Sequence, residues 1–333
     1  MGGPSISSSD MESHYRSRDY YGGDSYYSSG SSRSVTPKMR VTNESQVFKE
    51  TKMRDEFNPA KMKLPREACD SAQSPHSKGI IYAEDFTGSM GRFLLSLIQT
   101  QFPRLIEETY KTVSFNPHIM FMGIGDVEEG DEAPLQVTQF ETDLRMLEQL
   151  EKLWLEKGGG CNPYESYILA WYFAGKYCKM DCFDKRGEKG FLFTFGDEEP
   201  TPHLTPDELK TVFGNRDDLD KRKVTATDCL EMASEKFNCY HIILRGSNYC
   251  SRVVSKWRNL LDGHACDLSD YECLPDLVCT ILKMYEGFSK TEAIEAIKSI
   301  HSRDVVSEAL RYHEEYVTET KVEENENANV EIF

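Results

Sequence analysis

No segment of this 333-residue chain is apolar for the length that a membrane crossing needs, and none has the form of a hydrophobic signal peptide. Positive charge is also scarce: 39 Lys and Arg stand against 56 Asp and Glu, a formal net charge of −17. Binding to phosphate backbones draws on clustered cations, so this balance argues against nucleic acid as a partner. The chain has no P-loop and no dinucleotide fingerprint, because Gly158, Gly159 and Gly160 run together without the spacing or the lysine those motifs require. Ten cysteines are scattered along it. Cys178 and Cys182 could form half of a zinc site, but a second pair of similar spacing is missing, so free and partly buried thiols are expected. These absences together point to a reducing, cytoplasmic setting without a membrane partner.

Residues 1–35 are rich in Ser, Gly and Tyr and nearly devoid of aliphatic side chains, so they are not expected to fold alone. The alternation of aromatic and polar residues there also suits weak self-association or phosphorylation. Residues 36–66 are mildly basic, with KMRVTNES a possible edge strand, and read as a linker or arm. From 67 to 285 apolar runs alternate with helical patterns, which predicts an α/β, doubly wound and mostly parallel sheet. Strands are expected near 79–85, 118–125, 134–140, 190–196, 239–244 and 264–268. The second and third are too close for a crossover helix, which makes the third an antiparallel edge strand. One extra helix is expected over 286–313, with Ala293, Ile294, Ile297 and Ile300 on one face. An acidic tail occupies 314–333.

The most informative string is GIIYAEDFTGSMG, in which an apolar run ends in Asp85 and the hydroxyls of Thr87 and Ser89 follow at two-residue spacing. Helical periodicity then resumes through Met90, Phe93, Leu94, Leu97, Ile98 and Leu105. A carboxylate at the end of a buried strand, with oxygen ligands just beyond it, suits a hard divalent cation such as Mg²⁺. An ordinary strand-to-helix turn with a capping hydroxyl is the structural alternative.

The DFTGS loop resembles the Asp-x-Ser-x-Ser loop of the von Willebrand factor type A (VWA) domain, whose metal-ion-dependent adhesion site follows its first strand. Thr87 stands for the first serine and keeps a hydroxyl there. The resemblance implies a VWA or Rossmann-like fold and a second carboxylate after a later strand. Asp197, at the end of FLFTFGDEEP, is in that place, with a turn aspartate as the alternative. The family's middle-loop threonine is absent, and Gly158 to Gly160 are followed by Cys161 and Asn162. Asn162 could reach a metal directly or through water, or cap a helix opening at Asn162-Pro163-Tyr164-Glu165. Asp126, at the end of the second strand, is a candidate for orienting a metal-bound water or a ligating hydroxyl. Glu128, Glu129, Asp131, Glu198 and Glu199 would make the rim strongly negative.

The implied function is a metal-dependent protein-binding module, an adaptor or substrate receptor, in which Mg²⁺ (or Mn²⁺ or Ca²⁺) captures an exposed acidic residue of a protein partner without catalysis. By analogy that partner could be an AAA+ ATPase or another multiprotein assembly. A Mg²⁺-dependent phosphoryl hydrolase is the enzymatic alternative. The second aspartate of haloacid-dehalogenase-like enzymes is lacking, and His203 is the one histidine near the rim loops. A structural component whose termini make the contacts is a third reading.

Overall fold

A computed structural model of the chain describes Ser13 and residues 47–156, 162–246 and 248–314, with the backbone alone at Ser89, Gly91 and Arg92. The Ser/Gly/Tyr-rich segment 1–35, the KMRVTNES stretch, Gly158 to Cys161 and all of the acidic tail beyond Glu314 lie outside the described residues.

The central sheet has six strands: β1 (Ser77–Asp85), β2 (Asn116–Ile124), β3 (Leu135–Val137), β4 (Gly190–Gly196), β5 (Phe237–Leu244) and β6 (Ala265–Leu268). Their spatial order is β6-β5-β4-β1-β2-β3. Every pairing is parallel except β2 with β3. The short β2–β3 connection leaves no room for a crossover and forces that reversal, as the sequence predicts. β3 is shorter than its apolar pattern suggests. After Val137 the ladder continues only through Thr138, whose N–H reaches the Phe121 carbonyl, and an isolated bridge between Ile119 and Glu141.

Both faces of β1 are covered, which explains why its sequence is apolar almost without alternation. Ile80 and Tyr82 face a layer that includes α1 (Phe102–Thr112) and α5 (Leu274–Tyr285), with Leu105, Leu277 and Ile281 fully buried. Ile81 and Ala83 face a layer built around α2 (Ile168–Tyr177), α3 (Ala226–Ser234) and α4 (Ser251–Leu261). Trp171 and Trp257 meet there edge to face, with ring centroids 5.8 Å apart. The chain is thus a mixed α/β domain with helices on both faces of a mostly parallel sheet.

Residues on either side of 67–285 join the same core: Val47, Phe48 and Phe57 before it, and Ala293, Val306 and Leu310 after it. The single helix expected over 286–313 is corrected to two, α6 (Lys290–Glu295) and α7 (Ile300–Ala309). Ser299 accepts a hydrogen bond from the Ser302 N–H and so starts a new helix where continuous periodicity was expected. Ala293 and Ile297 remain buried, whereas Ile300 falls on the new helix's outer side and is 74% exposed.

Candidate metal centre

The strand order makes the site. The chain leaves β1 to build β2 and β3 on one side, then returns to place β4 on the other, so the carboxyl ends of β1 and β4 flank a topological switch point. In open α/β sheets ligands settle in that crevice. The β1–β4 register runs from Ile80 opposite Phe191 to Glu84 opposite Phe195. Asp85 therefore ends β1 beside Gly196, and Asp197 follows immediately.

Asp85 is fully buried and well supplied with donors. Its Oδ1 accepts the Thr87 N–H at 2.9 Å and the Thr87 hydroxyl at 2.5 Å, which turns the chain sharply out of the strand. Its Oδ2 accepts the Tyr167 hydroxyl at 3.0 Å. Tyr167 crosses over Gly196 to get there, and a Cβ on that glycine would overlap the phenol oxygen. Asp197, also fully buried, accepts the Asn248 N–H at 2.8 Å. Gly246 presses on the same carboxylate so closely that any side chain there would collide with it. The loop after β5 thus closes over Asp197.

Around this pair the negative charge is dense. Burial raises Asp85 to about 7, and Asp197 pushes in the same direction against the hydrogen bonds from Thr87 and Tyr167. Burial also lifts Glu198 to about 8 and Glu165 to about 12, each helped by Asp85 and other carboxylates. Glu84 is pushed well above the ordinary carboxyl range by burial, then by Asp85 and Asp197, and both of its oxygens are buried without a hydrogen-bond partner. After burial, the charges that act most strongly on Asp85, Glu165 and Glu198 are those of other carboxylates. Such a cluster is stable only with protons or with a cation in it. Its donors are all oxygens, the set a hard divalent ion prefers.

The remaining sequence candidates fall at the same rim with different duties. Asp126 is buried, and its Oδ2 accepts the Asn162 side-chain amide at 2.7 Å, while Oδ1 accepts the Glu128 N–H at 2.9 Å and the Ser166 hydroxyl at 3.3 Å. Asn162 Oδ1 accepts the Tyr164 N–H at 3.0 Å. The helix expected to open at Asn162 is corrected: Tyr164–Glu165 is a two-residue strand parallel to Glu199–Pro200, and α2 begins at Ile168. Asn162 therefore caps an Asx-type turn rather than a helix. Main-chain pairing with the segment after Asp197 takes precedence over the local capping signal, and it carries Glu165 inward. The side chain of Ser89 lies outside the described residues, although its backbone forms the one-turn helix Gly88–Met90.

Glu128 and Glu129 are exposed, whereas Glu199 is buried in an ion pair with Arg252. His203 lies in a two-residue strand paired with Val224–Thr225. Cys178 and Cys182 are buried free thiols. Among the described residues no helix is long and apolar enough to cross a membrane.

The linear pattern did not single out Glu84, Glu165 or Tyr167. A charged residue inside an apolar strand was an available signal for Glu84. Nothing in the spacing marks the other two.

No family model matches the chain, and no curated protein is similar to it. Among solved structures, the pilus adhesin SpaC from Lactobacillus rhamnosus GG in its open conformation aligns with a TM-score of 0.42 and 9% identity, covering 63% of this chain and 30% of SpaC. A second structure of that adhesin gives a TM-score of 0.38 and 9% identity, covering 63% of this chain and 31% of SpaC. The chain therefore spans less than a third of the length of the adhesin structures it matches.

Proposed function

We propose that this chain is a VWA-like, metal-dependent protein-binding module, an adaptor or substrate receptor without catalytic chemistry. The observation that carries the reading is the pairing of Asp85 with Asp197 at the switch point, inside a buried, all-oxygen cluster in which Asp85, Glu165 and Glu198 are each pushed up by neighbouring carboxylates. That donor set fits Mg²⁺, Mn²⁺ or Ca²⁺. Asp85, Thr87, Ser89 and Asp197 would hold the ion, with Asn162 contributing through its Oδ1 and Asp126 fixing the Asn162 amide. Bound there, the ion supplies an open coordination position to a carboxylate from a protein partner.

The protein's own residues set the order of events. In the metal-free state the exposed Glu128 and Glu129 repel an acidic side chain, so cation binding precedes partner capture. Tyr167 and the Thr87 backbone orient Asp85 before any ion binds. By analogy with other intracellular VWA-like proteins, an AAA+ ATPase or another multiprotein assembly is the partner class to test first.

Capture of partners from a cell extract, with Mg²⁺ and with chelator, tests the proposal when run on the full chain, Asp85→Ala and Ser89→Ala. Capture by the unmodified chain in Mg²⁺ alone is expected. Equal capture in chelator would sink the adhesion-site reading, and so would phosphate-ester turnover above a Ser89→Ala control, which belongs to a hydrolase.

A further inference from the structure

A second group of metal-ligating side chains lies in the C-terminal part of the domain. Asp270 starts a one-turn helix, Tyr271–Cys273, and its Oδ1 accepts the Glu272 N–H at 3.0 Å. Its Oδ2 faces outward to His301 Nε2 at 2.7 Å. Cys273, at the end of that turn, is buried and aims its Sγ at the Ser302 hydroxyl, 3.6 Å away. Ligand atoms of Asp270, Cys273 and His301 all lie within 4.8 Å of one another. His301 and Ser302 are in the first turn of α7, while Asp270 and Cys273 precede α5.

We propose that Asp270, Cys273 and His301 form a metal site for a borderline transition cation of the Zn²⁺ class, separate from the oxygen cluster at the sheet's switch point. The donor set decides the class. A thiolate, an imidazole and a carboxylate suit Zn²⁺, whereas Mg²⁺ takes oxygens in octahedral array. Bonds of about 2.0 to 2.3 Å in a tetrahedron put donors roughly 3.3 to 3.8 Å apart, so closure on an ion needs only small side-chain adjustments from the spacing seen here.

Three protein ligands leave a fourth position, and His301, 67% exposed, sits at the solvent side where water fills it. Binding expels the Cys273 thiol proton, and the sulfur then bonds the ion instead of donating to Ser302. The positive end of the α7 dipole opposes a cation, but two anionic ligands outweigh it. The site joins the turn before α5 to the start of α7 and so clips the C-terminal helix, whose Val306 is fully buried, onto the domain.

The test is Co²⁺ titration of the full chain, stripped with chelator and held in excess Mg²⁺ so that the oxygen site is occupied and spectroscopically silent. A thiolate-to-cobalt charge-transfer band saturating at one equivalent, displaced by Zn²⁺, is the expected result. Cys273→Ser should remove the band and His301→Ala should weaken binding at least tenfold; Cys250→Ser, at an exposed thiol, and Asp85→Ala should leave it intact. His301→Ala keeps the test decisive if Cys273→Ser misfolds, since that side chain is mostly in solvent. No band in the unmodified chain, or a band unchanged in both Cys273→Ser and His301→Ala, overturns the proposal. Persistence of the band in Asp85→Ala separates this site from the one assigned to partner capture.

Discussion

Tyr167 donates its hydroxyl to Asp85 at 3.0 Å only because residue 196 has no side chain: the phenol lies where a Cβ would stand. Two residues 82 positions apart are thus coupled through a glycine that touches neither chemically. Tyr167→Phe should keep the fold and cost about 1.5–3 kcal/mol, the range for a hydrogen bond to a charged group. Gly196→Ala should cost at least as much, since overpacking adds to the lost bond. Urea unfolding of both variants checks this, and a neutral Gly196→Ala would show that Tyr167 does not hold Asp85.

Asp85→Asn separates charge from shape. Above pH 7 the Asp85 carboxylate is ionised, although burial and Asp197 oppose it. Its amide isostere should raise the melting temperature of the chelator-treated protein at pH 8, by the equivalent of about 1–3 kcal/mol after losing some of the bonds from Thr87 and Tyr167. The same change should abolish stabilisation by added Mg²⁺. A variant that is less stable in chelator and still responds to Mg²⁺ would contradict the cation-site reading.

Glu84 offers a second stability test. Its carboxyl is buried on the Tyr82 side of β1, its pKa pushed well up by that burial and by Asp85 and Asp197, with neither oxygen hydrogen-bonded. Glu84→Met replaces an unsatisfied polar group with an apolar one of similar length, and should stabilise the metal-free protein by about 1–2 kcal/mol. Chemical denaturation in chelator measures it. Destabilisation would show that the carboxyl is bonded in solution.

His313 should govern part of the acid response. Its Nδ1 lies 2.7 Å from the Glu314 carbonyl and must carry the proton, which leaves Nε2 to accept the Tyr240 hydroxyl at 2.9 Å. Burial lowers its pKa to about 4, with His264 and Lys290 acting the same way against the Glu314 carbonyl. His264, stacked on both Tyr240 and His313, is lowered as well. Because the folded value lies below the unfolded value of about 6.5, this contribution is present above pH 6.5 and is lost as pH falls towards 4. The loss is at most about 3 kcal/mol. His313→Phe should flatten the melting-temperature profile over that window, and an unchanged slope would remove His313 from the account.

Much of the fold was legible because its elements are local and strongly patterned. β1 reads as a run of apolar residues, and the short step from Ile124 to Leu135 dictates an antiparallel edge. Asp85, Thr87 and Asp197 stood out for the same reason, at the ends of such runs. Asn162 shows where local reasoning failed: Asn-Pro-Tyr-Glu is a sound helix start, yet pairing with Glu199–Pro200 makes it a strand. Ile300 shows another limit, because a cap at Ser299 resets helical phase and turns an apparently core-facing residue outward.

By itself the sequence determined the six strands of the central sheet, that their faces are covered, and that aspartates stand at the ends of two of them, since burial pattern and turn chemistry are written in neighbouring residues. Only the tertiary structure decided that β4 returns to the far side of β1, which brings Asp85 and Asp197 to one crevice. It alone decided, too, that Tyr167, just before α2, and Glu165, in the two-residue strand ahead of it, come in to the site, and that Asp270 and Cys273 meet His301. These juxtapositions join residues tens of positions apart, and which of them form is settled by how the layers pack, a property of the whole chain that no local window contains.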